Sequence, residues 1–160
     1  MSLPTFLRSE RSTDLGLLLV RLLPGIVFIF HGAQKLFGVF GGSGLEGTAQ
    51  FFDSIGIPFP ATNALLAGAT EFIGGLALVT GVGARLAALP LVGTMAVAIL
   101  TVHSGSFAAQ SGGMEYPLTL AFVTAGIALT GPGRYRLPVG LGTATRTAER
   151  SNDEIVSPHA

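Results

Sequence analysis

Six ionisable residues lie within or at the ends of the long apolar runs of this sequence, and their types define the chemistry open to it. They are Arg21, His31, Lys35, Glu71, His103 and Glu115. In a lipid bilayer such a side chain costs about 2.5 to 3.5 kcal/mol at the centre of a helix, so each must face a partner, a cavity or the interface. Histidine, lysine and glutamate can exchange protons with a polar head group or line a path for a small solute. The predicted catalytic group therefore consists of His31, Lys35, His103 and Glu115.

Arg21 and Glu71 are predicted to form a structural ion pair that orders the bundle. Arg21 shares one helical face with His31 and Lys35, because spacings of 10 and 4 residues place the three within an arc of about 80°. Glu71 lies on a stripe of small residues, which favours close approach of another helix. The alternative is that Arg21 extends to the head groups while Glu71 is protonated by desolvation.

The sequence offers few candidate ligands for a metal or redox centre. The chain has no cysteine, which excludes disulfide exchange, thiolate nucleophiles and cysteine-ligated iron–sulfur or zinc sites. A bis-histidine haem through His31 and His103 stays open, as does a two-histidine, one-carboxylate set with Glu115. Nothing else in the sequence marks either site, so we predict no metal site.

Four apolar segments must position these residues. They cover about residues 15–37, 61–82, 86–102 and 116–130. The first has the roughly 20 residues that a helix needs to cross about 30 Å of hydrocarbon. Charged residues make up only 11% of the chain and the mean hydropathy is +0.62, which indicates an integral membrane protein. A net charge of zero leaves no field to attract nucleic acid, so that class of partner is excluded.

The loop between the first two spans carries an apolar stripe at helical spacing and reads as an amphipathic helix lying in the interface. The predicted fold is thus all-α, an integral membrane four-helix bundle with this interfacial helix between spans one and two. We expect the helix to place Phe51, Phe52 and Phe59 as the roof of a small polar pocket formed by the candidate catalytic group. The domains are then a cytoplasmic N-terminal segment (1–14), the membrane domain (15–137) and a disordered cytoplasmic tail (138–160).

The arginines indicate the orientation. Seven of them flank the spans on one side, namely Arg8, Arg11, Arg85, Arg134, Arg136, Arg146 and Arg150. The opposite side has Lys35 at the end of its helix. By the positive-inside rule both termini are cytoplasmic.

Several strings in this order resemble the DoxX family. They include Arg21, His31-Gly32 and Lys35-Leu36, then Glu71 with Gly74-Gly75, Arg85, His103, Glu115 and the closing Gly131-Pro132-Gly133. The resemblance covers about residues 15–137. It implies a small, four-helix, multi-pass protein of the bacterial cytoplasmic membrane, similar to the membrane subunit of a thiosulfate:quinone oxidoreductase.

The resemblance further implies a subunit of a membrane oxidoreductase system linked to quinone, with the electron carrier on a protein partner or an added cofactor. Whether the chain is catalytic alone stays open. Two other functions also stay open: a transporter or channel for a small solute, and a non-catalytic membrane scaffold that recruits a redox partner or forms a homo-oligomer.

Overall fold

The computed structural model describes residues 10–138, and this part of the chain is helical with no strands. The helices are α1 (Glu10–Phe37), α2 (Gly44–Ser54), α3 (Pro60–Thr80), α4 (Ala84–Thr101) and α5 (Glu115–Thr130), with a 3₁₀ turn at Ala109–Ser111 between the last two. The predicted tail lies outside the described residues except for Pro138.

The helices confirm the predicted all-α membrane bundle. α1, α3 and α4 are each long and apolar enough to cross a membrane, and α5 is a shorter apolar helix of 16 residues that packs against α4. α1 begins at Glu10, five residues before the predicted start of its span, and continues unbroken through Pro24. Its 28 residues extend about 42 Å, which is longer than a hydrocarbon layer about 30 Å thick.

α1 packs antiparallel on α3 through glycine, and this is the most extensive helix contact in the described chain. A Cβ atom added to Gly32 would lie 2.8 Å from the carbonyl oxygen of Gly68, and one added to Gly75 would lie 2.6 Å from that of Gly25. Only glycine allows the two backbones to come so close. Such packing is what holds helices together in lipid, where burial of apolar groups supplies no driving force.

Two ends of the bundle differ in character. At the Arg21 end, α1 passes the C-terminus of α3. A buried apolar core lies between the two ends and consists of Phe28, Leu78, Ala84, Leu91, Met95, Leu120 and Ile127. At the other end, called here the Lys35 end, α1 and α4 finish while α3 and α5 begin. The predicted polar group belongs to the Lys35 end.

α2 is the predicted helix between the first two spans. A glycine-rich turn leads into it, with positive φ angles at Gly38, Gly41 and Gly44 that other residues rarely adopt. The helix packs mainly on α3 and also on α1, and buries Thr48. It therefore covers one side of the Lys35 end.

Candidate functional site

A partly buried ion pair joins α1 to α3. The Nζ atom of Lys35 lies 2.6 Å from Oε2 of Glu71 and donates a hydrogen bond to it. Lys35 is two residues from the end of α1, but helical side chains tilt toward the helix N-terminus, so its ammonium group reaches back into the bundle. The side chain of Glu71 is 4% exposed and that of Lys35 is 26% exposed. The carboxylate is thus the more deeply buried partner.

This pair replaces the predicted one between Arg21 and Glu71. The Arg21 guanidinium instead donates hydrogen bonds to the carbonyl oxygens of Leu78, Val79 and Tyr135. These α3 carbonyls lie at the helix C-terminus, where they have no donor within the helix. They are seven and eight residues from Glu71, or about 11 to 12 Å along the helix. The prediction measured depth from the ends of the spans and missed the extension of α1 past the end of α3.

Arg21 still orders the bundle, although through backbone carbonyls. Its bond to Tyr135 fastens the segment that follows α5, and the N–H of Leu137 donates to the carbonyl oxygen of Thr80 at 2.9 Å. The N–H of Arg134 also donates to Oδ1 of Asp14, at 2.9 Å. The Arg21 end is therefore closed by hydrogen bonds that have a structural role.

The Lys35–Glu71 pair borders a cavity of about 850 Å³ at the Lys35 end. Residues from α1, α2, α3, α4 and the adjoining loops line it, among them Lys35, Thr70, Glu71, Thr94, Thr101 and His103. Phe51 and Phe52 of α2 also line it, as predicted for the roof, whereas Phe59 does not and is 79% exposed. The volume is in the range of sites that bind small molecules and cofactors.

Two of the four predicted catalytic residues, Lys35 and His103, line the cavity. The ring atom Nδ1 of His103 lies 2.7 Å from the carbonyl oxygen of Gly112. Because a carbonyl oxygen only accepts, Nδ1 carries the hydrogen, and in the neutral ring Nε2 is left as an acceptor. The loop after α4 thus sets the tautomer of a cavity histidine.

His31 and Glu115 lie outside the cavity. The His31 ring is half-buried and meets the ring of Phe30 edge to face, with 5.5 Å between the ring centroids. Glu115 is exposed, and its Oε2 accepts the backbone N–H of Ala109 at 3.0 Å, which braces the loop before α5. Across residues 10–138 no three His, Asp or Glu side chains are grouped so that they could hold a metal ion.

The sequence analysis did not assign Glu71 to the functional site. It was assigned to a structural pair, but it contributes the buried carboxylate of the cavity. One signal in the sequence was usable: a lysine near the C-terminus of a helix points back along that helix into the bundle. That it meets Glu71 depends on the register of α1 against α3.

The fold and the site define a helical integral membrane protein with a charged cavity at one end of its bundle. Residues 16–104 match the DoxX family, to which this chain belongs. The chain is 36% identical over 122 residues to a Bacillus subtilis (strain 168) protein named "Putative oxidoreductase CatD", covering 76% of this chain and 84% of the relative. It is 32% identical over 132 residues to "Inner membrane protein YqjF" of Escherichia coli (strain K12), covering 80% and 93%. No solved structure gives a significant match.

Proposed function

We propose that this protein is the quinone-binding membrane component of an oxidoreductase system, and that the cavity at the Lys35 end takes the quinone head group. The observation that carries the proposal is a partly buried Lys35–Glu71 ion pair on the wall of a cavity of about 850 Å³. The oxidoreductase name of the Bacillus subtilis relative supports the redox class.

The cavity groups match the needs of a quinone. Reduction to the quinol adds two electrons and two protons to the ring and its two carbonyl oxygens. The Lys35 ammonium has three N–H donors, of which one goes to Glu71, so others can bond to a carbonyl oxygen. Glu71 and His103 can pass protons to the reduced oxygens. A protein partner or an added cofactor supplies the two electrons, as the family resemblance implies.

The same proposal places the protein in the bacterial cytoplasmic membrane with the Lys35 end facing outward. Arg85, Arg134 and Arg136 are exposed at the Arg21 end. Positively charged loops face the cytoplasm in multi-pass proteins, which supports this orientation and two cytoplasmic termini. Quinol formed in the cavity would then exchange protons with the outer side.

The cavity favours a binding site over a transport path. On the side of the Arg21 end, the core residues Phe28, Leu78 and Leu91 are at most 1% exposed. A small polar solute would have to cross this apolar layer, where its polar groups would lose their hydrogen bonds to water. The arrangement therefore fits a ligand that enters and leaves without crossing the bundle.

The test is quinone binding to purified protein in nanodiscs, measured with a radiolabelled quinone. We expect Lys35→Gln and Glu71→Gln each to weaken binding by about tenfold or more, because a hydrogen bond to a charged group contributes about 1.5 to 3 kcal/mol. Glu115→Gln is the control, since Glu115 is exposed and outside the cavity. Size-exclusion profiles and helical circular dichroism establish that each variant is folded.

A second comparison uses the two histidines. We expect His103→Gln to weaken quinone binding and His31→Gln to leave it unchanged, because only His103 lines the cavity. A wild-type protein that does not bind quinone would overturn the proposal. So would equal effects of Glu71→Gln and Glu115→Gln, since the cavity would then have no special part in binding.

A further inference from the structure

The cavity at the Lys35 end also reaches the side of the bundle. Its lining includes Leu66 of α3 together with Gly93 and Val97 of α4. Leu66 is 57% exposed, Val97 is 52% exposed, and Gly93 is exposed as well. These three residues are called here the α3–α4 window.

Helical spacing shows that the window faces lipid. Leu66 precedes Ile73 by seven residues, and Gly93 follows Leu89 by four and precedes Leu100 by seven, so each shares a stripe with these side chains. Ile73, Leu89 and Leu100 are 64%, 61% and 74% exposed. Large apolar residues so exposed on membrane-spanning helices face the acyl chains. The rim of the cavity therefore belongs to the lipid-facing surface of α3 and α4.

Gly93 is what leaves the rim open. A Cβ atom added there would meet no other atom within 4 Å. By contrast, Gly74 lies deeper in the α3–α4 contact, where a Cβ would lie 2.8 Å from the Leu91 side chain. The α3–α4 contact is thus close at Gly74, whereas the exposed position of Gly93 on the cavity rim leaves room for a side chain.

We infer that the ligand of this cavity is a lipid-dissolved molecule with a long apolar tail, which enters sideways through the α3–α4 window. The polar head lies at the Lys35–Glu71 pair and the tail passes between Leu66 and Gly93 into the bilayer. The inference rests on the proposed function and names the quinone as one with an isoprenoid tail. An apolar tail at this window stays in hydrocarbon throughout, so entry from the bilayer costs no exposure of the tail to water.

The test closes the window without touching the head-group site. In Gly93→Leu a side chain fills the open space, and leucine also has a higher helix propensity than glycine. Gly126→Leu is the matched control, because a Cβ atom added to Gly126 of α5 would also meet no other atom within 4 Å, while Gly126 lies outside the cavity. The probes are two photoactivatable quinones with the same head group, one with an isoprenoid tail and one without a tail, applied to protein in nanodiscs.

We expect Gly93→Leu to reduce labelling of cavity residues by the tailed probe by about tenfold or more, which is the affinity carried by roughly two buried methylene groups. Labelling by the tail-less probe should stay within about twofold of wild type. The expected tenfold loss comes from contacts of the tail at the window, and this probe has no tail to make them. Gly126→Leu should behave as wild type with both probes.

Different outcomes separate the two proposals. If the tailed probe labels Gly93→Leu as well as it labels Gly126→Leu, the sideways entry is refuted while quinone binding stands. If neither probe labels the wild-type cavity, or if the cavity holds a phospholipid that quinone does not displace, the proposed function itself fails.

A second pair of variants tests the other side of the window. Leu66→Trp narrows the opening from α3, and Ile73→Trp adds the same bulk on the same lipid-facing stripe outside the cavity. We expect only Leu66→Trp to exclude the tailed probe. Equal labelling of these two variants would contradict a tail that passes between α3 and α4.

Discussion

Removing one partner of the Lys35–Glu71 ion pair should destabilise the bundle unequally, depending on which partner is lost. Lys35→Met leaves a carboxylate whose side chain is 4% exposed in the native protein. Glu71→Leu leaves the charge of Lys35, whose side chain is 26% exposed and which lies two residues from the end of α1. The lysine can therefore extend toward the head groups, whereas the glutamate has no such route.

The magnitude follows from the cost of a buried, unpaired charge. Breaking a buried ion pair costs about 3 to 5 kcal/mol. An unpaired carboxylate can also take up a proton. For a glutamate that titrates near pH 4.3 when unperturbed, this costs about 3 to 4 kcal/mol at pH 7, which is therefore the upper limit on the destabilisation by an unpaired Glu71. We expect Lys35→Met to lower the free energy of unfolding by about 3 kcal/mol, near that limit.

Glu71→Leu should cost less, about 1 to 2 kcal/mol, because its unpaired charge regains water. The double variant Lys35→Met/Glu71→Leu should lie within about 1 kcal/mol of wild type, since a buried ion pair is often replaced by apolar residues at little cost. The two effects are thus strongly non-additive, as expected for residues in direct contact.

The assay is reversible unfolding in mixed micelles with increasing dodecyl sulfate, followed by helical circular dichroism. Glu115→Leu is the control for removal of a carboxylate at the same end of the bundle, and we expect it to cost about 1 kcal/mol or less because Glu115 is exposed. Equal losses for Lys35→Met and Glu71→Leu that simply add in the double variant would refute the buried pair.

Two further predictions concern the packing of α1 and use the same unfolding assay. Arg21→Gln should lower the free energy of unfolding by about 3 to 5 kcal/mol, because it removes charged donors from three carbonyl oxygens. Arg85→Gln is the control and should lower it by about 1 kcal/mol or less, since Arg85 is exposed and bonds to one carbonyl oxygen. Similar losses for both variants would contradict the structural role of the Arg21 hydrogen bonds. Gly32→Ala should destabilise the bundle because its Cβ would press on the backbone of α3, whereas Gly126→Ala, which has open space, should gain up to about 1 kcal/mol from helix propensity. Tolerance of Gly32→Ala would show that α1 and α3 are less closely packed than described.

The fold was predictable from the sequence because the constraint on it is local. A backbone in hydrocarbon must satisfy its own hydrogen bonds, so an apolar run such as residues 15–37 has to be a helix whatever its neighbours are. The amphipathic stripe that became α2 is likewise readable within a few turns. These features need no knowledge of which helices touch.

The candidate site was predictable only in part. Burial of a charge in lipid singled out Lys35, Glu71 and His103, and all three line the cavity. The same reasoning also selected His31 and Glu115, which lie outside it. Depth along a span can be estimated from the sequence, but the side of the helix that meets a partner cannot, because it depends on how the other helices pack.

The sequence by itself thus determined a helical membrane protein, its turns and the few residues whose charge demands a partner. Only the tertiary structure decided that Glu71 meets Lys35 and that Arg21 meets the end of α3, because the axial register of α1 against α3 is set by the close contacts of Gly25, Gly32 and Gly75. The cavity too depends on the tertiary structure. It is a space bounded by several packed helices, so no sequence pattern within a single segment can predict it.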